Sequence, residues 1–178
     1  MDKHALILPF NSFKKFLITG SLGNLTAYPS REEVERQLGK PITVDEKVGI
    51  IPNQILYILH YSNLQITYID SSFFQLAIYF REYAQVQTLN ELPHGLGVDW
   101  YMSVKELDYH SFQSYLLSEN ITCRQVIFPY PNAEDGFTLE ITSTGIWTCF
   151  TDAPNYAIDS IFYTPSRPGV WQYEELSI

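Results

Sequence analysis

Basic residues are scarce in the second half of this 178-residue chain. From Glu91 onward only Lys105, Arg124 and Arg167 stand against twelve acids, whereas eight bases balance eight acids up to Asn90. The whole net charge of −9 therefore lies in the C-terminal half. Such a surface repels nucleic acid and anionic membrane and suits a basic protein partner. Long apolar runs are missing as well. No stretch approaches the roughly 20 residues a membrane helix needs. The apolar part of the first ten residues is short and broken by Pro9, unlike a secretory signal. A cytoplasmic protein without membrane contact is the expectation. Cysteine is limited to Cys123 and Cys149, expected as two buried, reduced thiols rather than a disulfide.

Chemical motifs are equally sparse. His4, His60, His94 and His110 lie far apart, with no His-x-x-x-His, Cys-x-x-Cys or Glu-x-x-His pairing, so no metal or other cofactor is expected. Gly-x-Ser-x-Gly, the Walker loop and Gly-x-Gly-x-x-Gly are all absent. Gly20-Ser-Leu-Gly23 and Gly95-Leu-Gly97 are too short to cradle phosphates. His60, inside an apolar run, reads as a hydrogen-bonded core histidine. Cys149 and His110 could meet only in space, which leaves a spatially assembled, hydrolase-like site as an alternative.

Aromatic residues are abundant, at 15% of the chain with 13 Tyr and 11 Phe. Tyr and Phe suit half-buried pleated surfaces, which points to a β-rich core; an aromatic interaction surface is the other reading. Phe13, Phe16 and Leu17 have helical spacing, with Asn11 or Ser12 to cap the helix and Gly20 to end it. In Ser30-Arg-Glu-Glu-Val-Glu-Arg-Gln-Leu-Gly39-Lys-Pro41, Ser30 and Glu33 make a capping box, while Gly39 and Pro41 close a helix over 30–38. Residues 42–54 hold Gly49 and Pro52 and read as a loop. Strands follow at 55–61, 64–70 and 73–80, the first apolar throughout as if buried on both faces, with hairpins at Ser62-Asn63 and Ser71-Ser72.

The segment 84–98 reads as a connector. Ser103-Val-Lys-Glu106 repeats the capping-box pattern before a helix over 108–119. Strands are expected from Cys123 to Phe128, at 137–142, 145–150 and 157–163, with a last edge segment at 170–173. The fold class is thus α+β: two helix-plus-antiparallel-meander units packed together, residues 1–83 charge-neutral and 99–178 acidic. That order of elements admits a degenerate tandem repeat. Leu38, Ile66, Tyr68, Leu139, Ile141 and Phe150 are the expected core.

The run Ser30-x-x-x-Val34-x-x-x-Leu38-Gly39-x-Pro41, with aromatic strands after it, resembles the domain shared by β-lactamase inhibitory protein and the SmpA/OmlA-type outer-membrane assembly lipoproteins. The resemblance spans residues 12–80; over 100–165 it is an order of elements, without the Leu-Gly-x-Pro. The chain departs from that family in lacking a lipobox and cysteine-bounded loops. Small intracellular immunity proteins of bacterial toxin systems are similar in having a helix that ends in Leu-Gly, as at Leu38-Gly39, and then strands rich in Tyr and Phe. The resemblance implies a non-catalytic protein-binding module, an immunity or inhibitor protein whose acidic half covers a basic partner. Self-association as a structural protein is a further alternative. Loops and helix starts would present the contact carboxylates, making Asp99, Glu106, Asp108, Glu134 and Asp135 the candidate binding residues.

Overall fold

Three helices lie against one antiparallel sheet of nine strands in the computed structural model, which describes residues 13–48, 54–80, 108–127, 137–151, 157–165 and 172–174. The first meander follows helices α1 (Phe13–Thr19) and α2 (Arg31–Leu38). It comprises β1 (Thr43–Val48), β2 (Ile55–Tyr61), β3 (Leu64–Ile69) and β4 (Ser72–Tyr79). The second follows α3 (Tyr109–Ser118) and comprises β5 (Cys123–Ile127), β6 (Thr138–Ile141), β7 (Ile146–Phe150) and β8 (Ile158–Tyr163). A short β9 (Gln172–Glu174) flanks β5. The order across the sheet is β1-β2-β3-β4-β8-β7-β6-β5-β9. The meanders therefore meet last strand to last strand, Leu76 opposite Tyr163 and Ile78 opposite Ile161. The protein is α+β, with the strands of both halves in one sheet.

Local chemistry sets the element ends. The Ser30 hydroxyl accepts from the Glu33 amide at 3.1 Å, as an N-cap should. Glu33 does not complete a reciprocal box. Its carboxylate accepts instead from the Thr26 amide and hydroxyl, at 3.0 and 3.2 Å, and so ties the preceding loop to the helix. Gly20 and Gly39 close α1 and α2 in the left-handed region, where a Cβ is disfavoured. The α3 cap is Asp108, whose Oδ1 accepts from the Ser111 amide at 2.8 Å. The Ser103–Glu106 pattern lies outside the described residues.

Residues 42–54, expected as a loop, contain a six-residue edge strand instead. Ile42, Val44 and Val48 alternate with Thr43, Asp45 and Lys47, and β1 uses that period of two in unbroken register with β2. Gly49 and Pro52 lie outside the described residues. β2 is not buried on both faces. Leu59 and Tyr61 are buried, but Leu56 and Ile58 are only half-buried and Ile55 is exposed, since only β1 lies beyond β2. Ser62-Asn63 forms the expected two-residue hairpin. The next turn falls one residue early, at Asp70-Ser71, because Asp70 tolerates φ 56° and its Oδ1 accepts from the Ile55 amide at 3.1 Å. The β6–β7 turn takes four residues, Thr142 to Gly145, with Gly145 supplying the positive φ.

Between helices and sheet runs a chain of aromatic rings. Tyr28, Phe73, Tyr163, Phe16, Phe13, Phe112, Phe150, Tyr109 and Phe137 follow one another with centroids 5.4–6.5 Å apart. Tyr115 stacks on Phe13 and Tyr68 meets Phe73 edge-on. Most of these rings are core, each pair adding about 0.5–1.5 kcal/mol beyond the area it buries. Of the expected core residues, Ile66, Tyr68, Leu139, Ile141 and Phe150 are buried. Leu38, in the last turn of α2, is only half-buried.

The two helix-ending glycines differ in what surrounds them. A Cβ at Gly20 would lie 2.5 Å from the Tyr163 ring, whereas nothing stands within 4 Å at Gly39. Gly39→Ala should cost about 2 kcal/mol, the backbone penalty alone of φ 78° with ψ −165°, a combination only glycine adopts readily. Gly20→Ala should cost ~3 kcal/mol, because overpacking against a buried ring adds to its left-handed backbone penalty. Urea unfolding of the two variants measures the difference.

Candidate functional site

Two sheet tyrosines hold α2 at its ends. The Tyr68 hydroxyl donates to the Pro29 carbonyl at 3.1 Å, just before the cap, and the Tyr61 hydroxyl donates to the Gly39 carbonyl at 3.0 Å, just after the helix. Val34, fully buried, turns the middle of α2 into the core. Burial pushes the Tyr61 phenol up to about 12 and raises Tyr68 as well, so both stay protonated donors at physiological pH. α2 is thereby fixed over β2 and β3 with its N-terminal turn at one corner of the sheet.

At that corner lies a pocket of about 460 Å³, lined by Arg31, Glu32, Tyr57, Tyr68, Asp70 and Ser71. Each wall follows from an element already placed. Arg31 and Glu32 come from the first turn of α2. Tyr57 and Tyr68 are directly paired across β2 and β3, and Asp70-Ser71 is the hairpin turn. Hydrogen bonding to backbone N–H at the helix start, and then to the Ser30 hydroxyl, holds the Glu32 carboxyl below the ordinary carboxylate range. Arg31 donates from Nε to Glu35 at 2.9 Å, and this bond raises its already high pKa. The pocket thus combines two carboxylates, a guanidinium turned toward the helix surface and a tyrosine wall. Tyr28 stands nearby, 66% exposed, with its ring against Phe73.

The one described candidate from the sequence is not among the pocket's lining residues. Asp108 is described, and its carboxylate is spent on capping α3. Asp99, Glu106, Glu134 and Asp135 lie outside the described residues. The pocket residues escaped notice because Arg31 and Glu32 read as ordinary first-turn charges, and Asp70 as a strand end. One signal was present: Asp70-Ser71-Ser72 offers two turn positions, and only the earlier one has a side chain able to bond the start of β2. His60 is half-buried on the sheet face away from the helices, with Nε2 3.3 Å from Asp45 Oδ2. Among the described residues, no three His, Cys, Asp or Glu side chains gather as metal ligands. No described helix is long and apolar enough to cross a membrane.

Comparison of the chain with protein-family models, with curated proteins and with solved structures gives no match.

The two cysteines sit on opposite faces and neither is in a disulfide. Cys123, opposite Ile141, is buried in the core, and burial raises its thiol pKa. Cys149 is half-buried rather than buried as expected; it lies opposite Thr138, whose hydroxyl approaches its sulfur at 3.5 Å. A raised pKa leaves less thiolate, the reactive form, at any pH below it. A thiol-reactive dye near neutral pH should therefore modify Cys123 slowly in the native protein and rapidly after denaturation. Mass spectrometry of the labelled peptides would show this, and fast native labelling at Cys123 would contradict the assigned burial.

Proposed function

We propose that the protein is a non-catalytic binding module whose corner pocket receives a basic side chain from a protein partner. The observation that carries this reading is the lining of the pocket. Glu32 and Asp70 offer carboxylates at its rim, Tyr57 offers an aromatic wall, and the sole guanidinium already bonds Glu35. A lysine or arginine laid against Tyr57 would bury its aliphatic stem and gain a cation–π contact while its head met the two carboxylates. The net charge of −9 would speed encounter with a basic surface at long range. An inhibitor or immunity protein acting in the cytoplasm is the specific form this proposal takes. It rests on the overall negative charge of the chain and on the resemblance of the α2 run to such domains.

A peptide-display selection against the folded chain tests the pocket directly. Enriched peptides should carry Lys or Arg, and their affinity by calorimetry should fall as salt rises. Glu32→Gln with Asp70→Asn removes both charges but keeps an acceptor in the hairpin turn. That double variant should melt near the wild-type temperature and lose about 10-fold in affinity for the selected peptides. Selections without basic residues, or binding indifferent to the double variant, would discard the pocket as the recognition site.

A further inference from the structure

The sheet ends at β1, and no described strand pairs with its outer edge. An unpaired edge offers a row of backbone donors and acceptors to any strand that fits, so proteins blunt such edges with proline, bulges, cover or charge. β1 has neither proline nor bulge. Among the described residues its device is the run Asp45-Glu46-Lys47, and the order of those charges decides which strands it excludes. Val44, Glu46 and Val48 project on the helix side of the sheet, opposite Leu59, Tyr57 and Ile55; Thr43, Asp45 and Lys47 project on the other. The helix-side stripe is unusually apolar for exposed surface: Val48 is 85% exposed, Ile42 70%, Val44 43% and Ile55 36%.

A second copy of the strand can be tested against this edge by symmetry alone. A two-fold axis normal to the sheet adds an identical strand antiparallel to the first, and it places one residue opposite its own copy. Asp45 and Glu46 are the two central choices. Centring on Asp45 opposes like carboxylates and sets Val44 against Glu46. Centring on Glu46 sets Val44 against Val48 and Asp45 against Lys47, and symmetry makes each of these pairs twice. Only Glu46 then meets a like charge. Within one chain Lys47 Nζ already lies 3.8 Å from Asp45 Oδ2, so both heads occupy the face where the second copy's charges would arrive. The pattern Val-Asp-Glu-Lys-Val is thus complementary to itself in one antiparallel register.

We propose that β1 is a self-pairing edge through which two copies join antiparallel over Val44–Val48, Glu46 opposite Glu46, in one continuous sheet. The full chain, studied by sedimentation equilibrium at an ionic strength that screens its net negative charge, should show a reversible dimer. Lys47→Asp places acid against acid twice and should weaken the dimer ~10-fold or more. Exchanging the charges, Asp45→Lys with Lys47→Asp, should return it to within a few-fold of wild type. Glu46→Thr should tighten it. Under oxidising conditions Glu46→Cys should give a disulfide-linked dimer that the wild type, with only Cys123 and Cys149, does not. Glu32→Gln with Asp70→Asn should leave association unchanged, which separates this edge from the pocket. A monomer at every concentration, a dimer insensitive to Lys47→Asp, or failure of the charge exchange to restore it overturns the proposal.

Discussion

The pairing of β4 with β8 is the contact on which the rest of the molecule depends. Each half supplies a four-stranded meander, and neither β4 nor β8 is an edge once they pair. The junction is built from Leu76, Ala77 and Ile78 against Ile161, Phe162 and Tyr163, with little exposure except at Phe162. Helix α1 secures it from one side. It precedes the first meander in sequence, yet its rings meet Phe112 and Tyr115 of α3 and its Leu17 carbonyl accepts from Thr144 at 2.7 Å. Lys14 bonds Glu119 at the end of α3, and Gly20 lies directly against the Tyr163 ring. Splitting the halves would therefore expose both a strand edge and the underside of α1.

Tyrosine serves this arrangement in a way phenylalanine could not. Tyr61 and Tyr68 reach from the sheet to the backbone at the two ends of α2, positions where helix termini leave carbonyls and amides to satisfy. Tyr163 does related work under α1, where burial and a hydrogen bond with Tyr28 push its phenol up to about 12. Each ring contributes apolar area to the core, while the hydroxyls of Tyr61 and Tyr68 fix a helix and that of Tyr163 meets Tyr28 in the loop before it. The pocket is a consequence of this placement. An eight-residue helix is only about 12 Å long, so anchoring its ends over β2 and β3 brings its first turn beside the Asp70-Ser71 hairpin.

Much of the fold was legible in the sequence, because it rests on local signals. Ser30 and Gly39 bracket α2, Phe13, Phe16 and Leu17 give α1 its stripe, and alternation at Leu64, Ile66 and Tyr68 sets the inward face of β3. What was not legible depended on neighbours. Val44 to Val48 alternate too weakly to outweigh Gly49 and Pro52, and only pairing with β2 makes them a strand. The continuous apolar run from Ile55 to Tyr61 implied burial on both faces, but burial depends on what lies beyond a strand, and beyond β2 there is a single strand. Asp108 was read as an acid at a helix start, and there it serves as the cap of α3. The pocket was invisible because Arg31, Tyr57 and Asp70 converge only after the β2–β3–β4 register is fixed.

A mismatch of widths explains why recognition features collect at one end of the sheet. Nine strands at about 4.8 Å spacing span roughly 38 Å. Three helices of about 10 Å diameter, set side by side, cover ~30 Å at most. The described helices concentrate on the middle: α1 bridges the junction, α3 lies against β7 through the Phe112–Phe150 contact, and α2 stops over β2 and β3. At the β1 end Val44, Val48 and Ile55 stay exposed on the helix side, with no described helix above them. Solubility at such a margin depends on the few charges it carries, and β1 holds its own in a row, Asp45, Glu46 and Lys47. Charges in that order turn away a strand of the wrong sign pattern while admitting one that matches. The same shortfall of cover that opens the pocket beside Tyr57 therefore leaves a selective edge on the neighbouring strand.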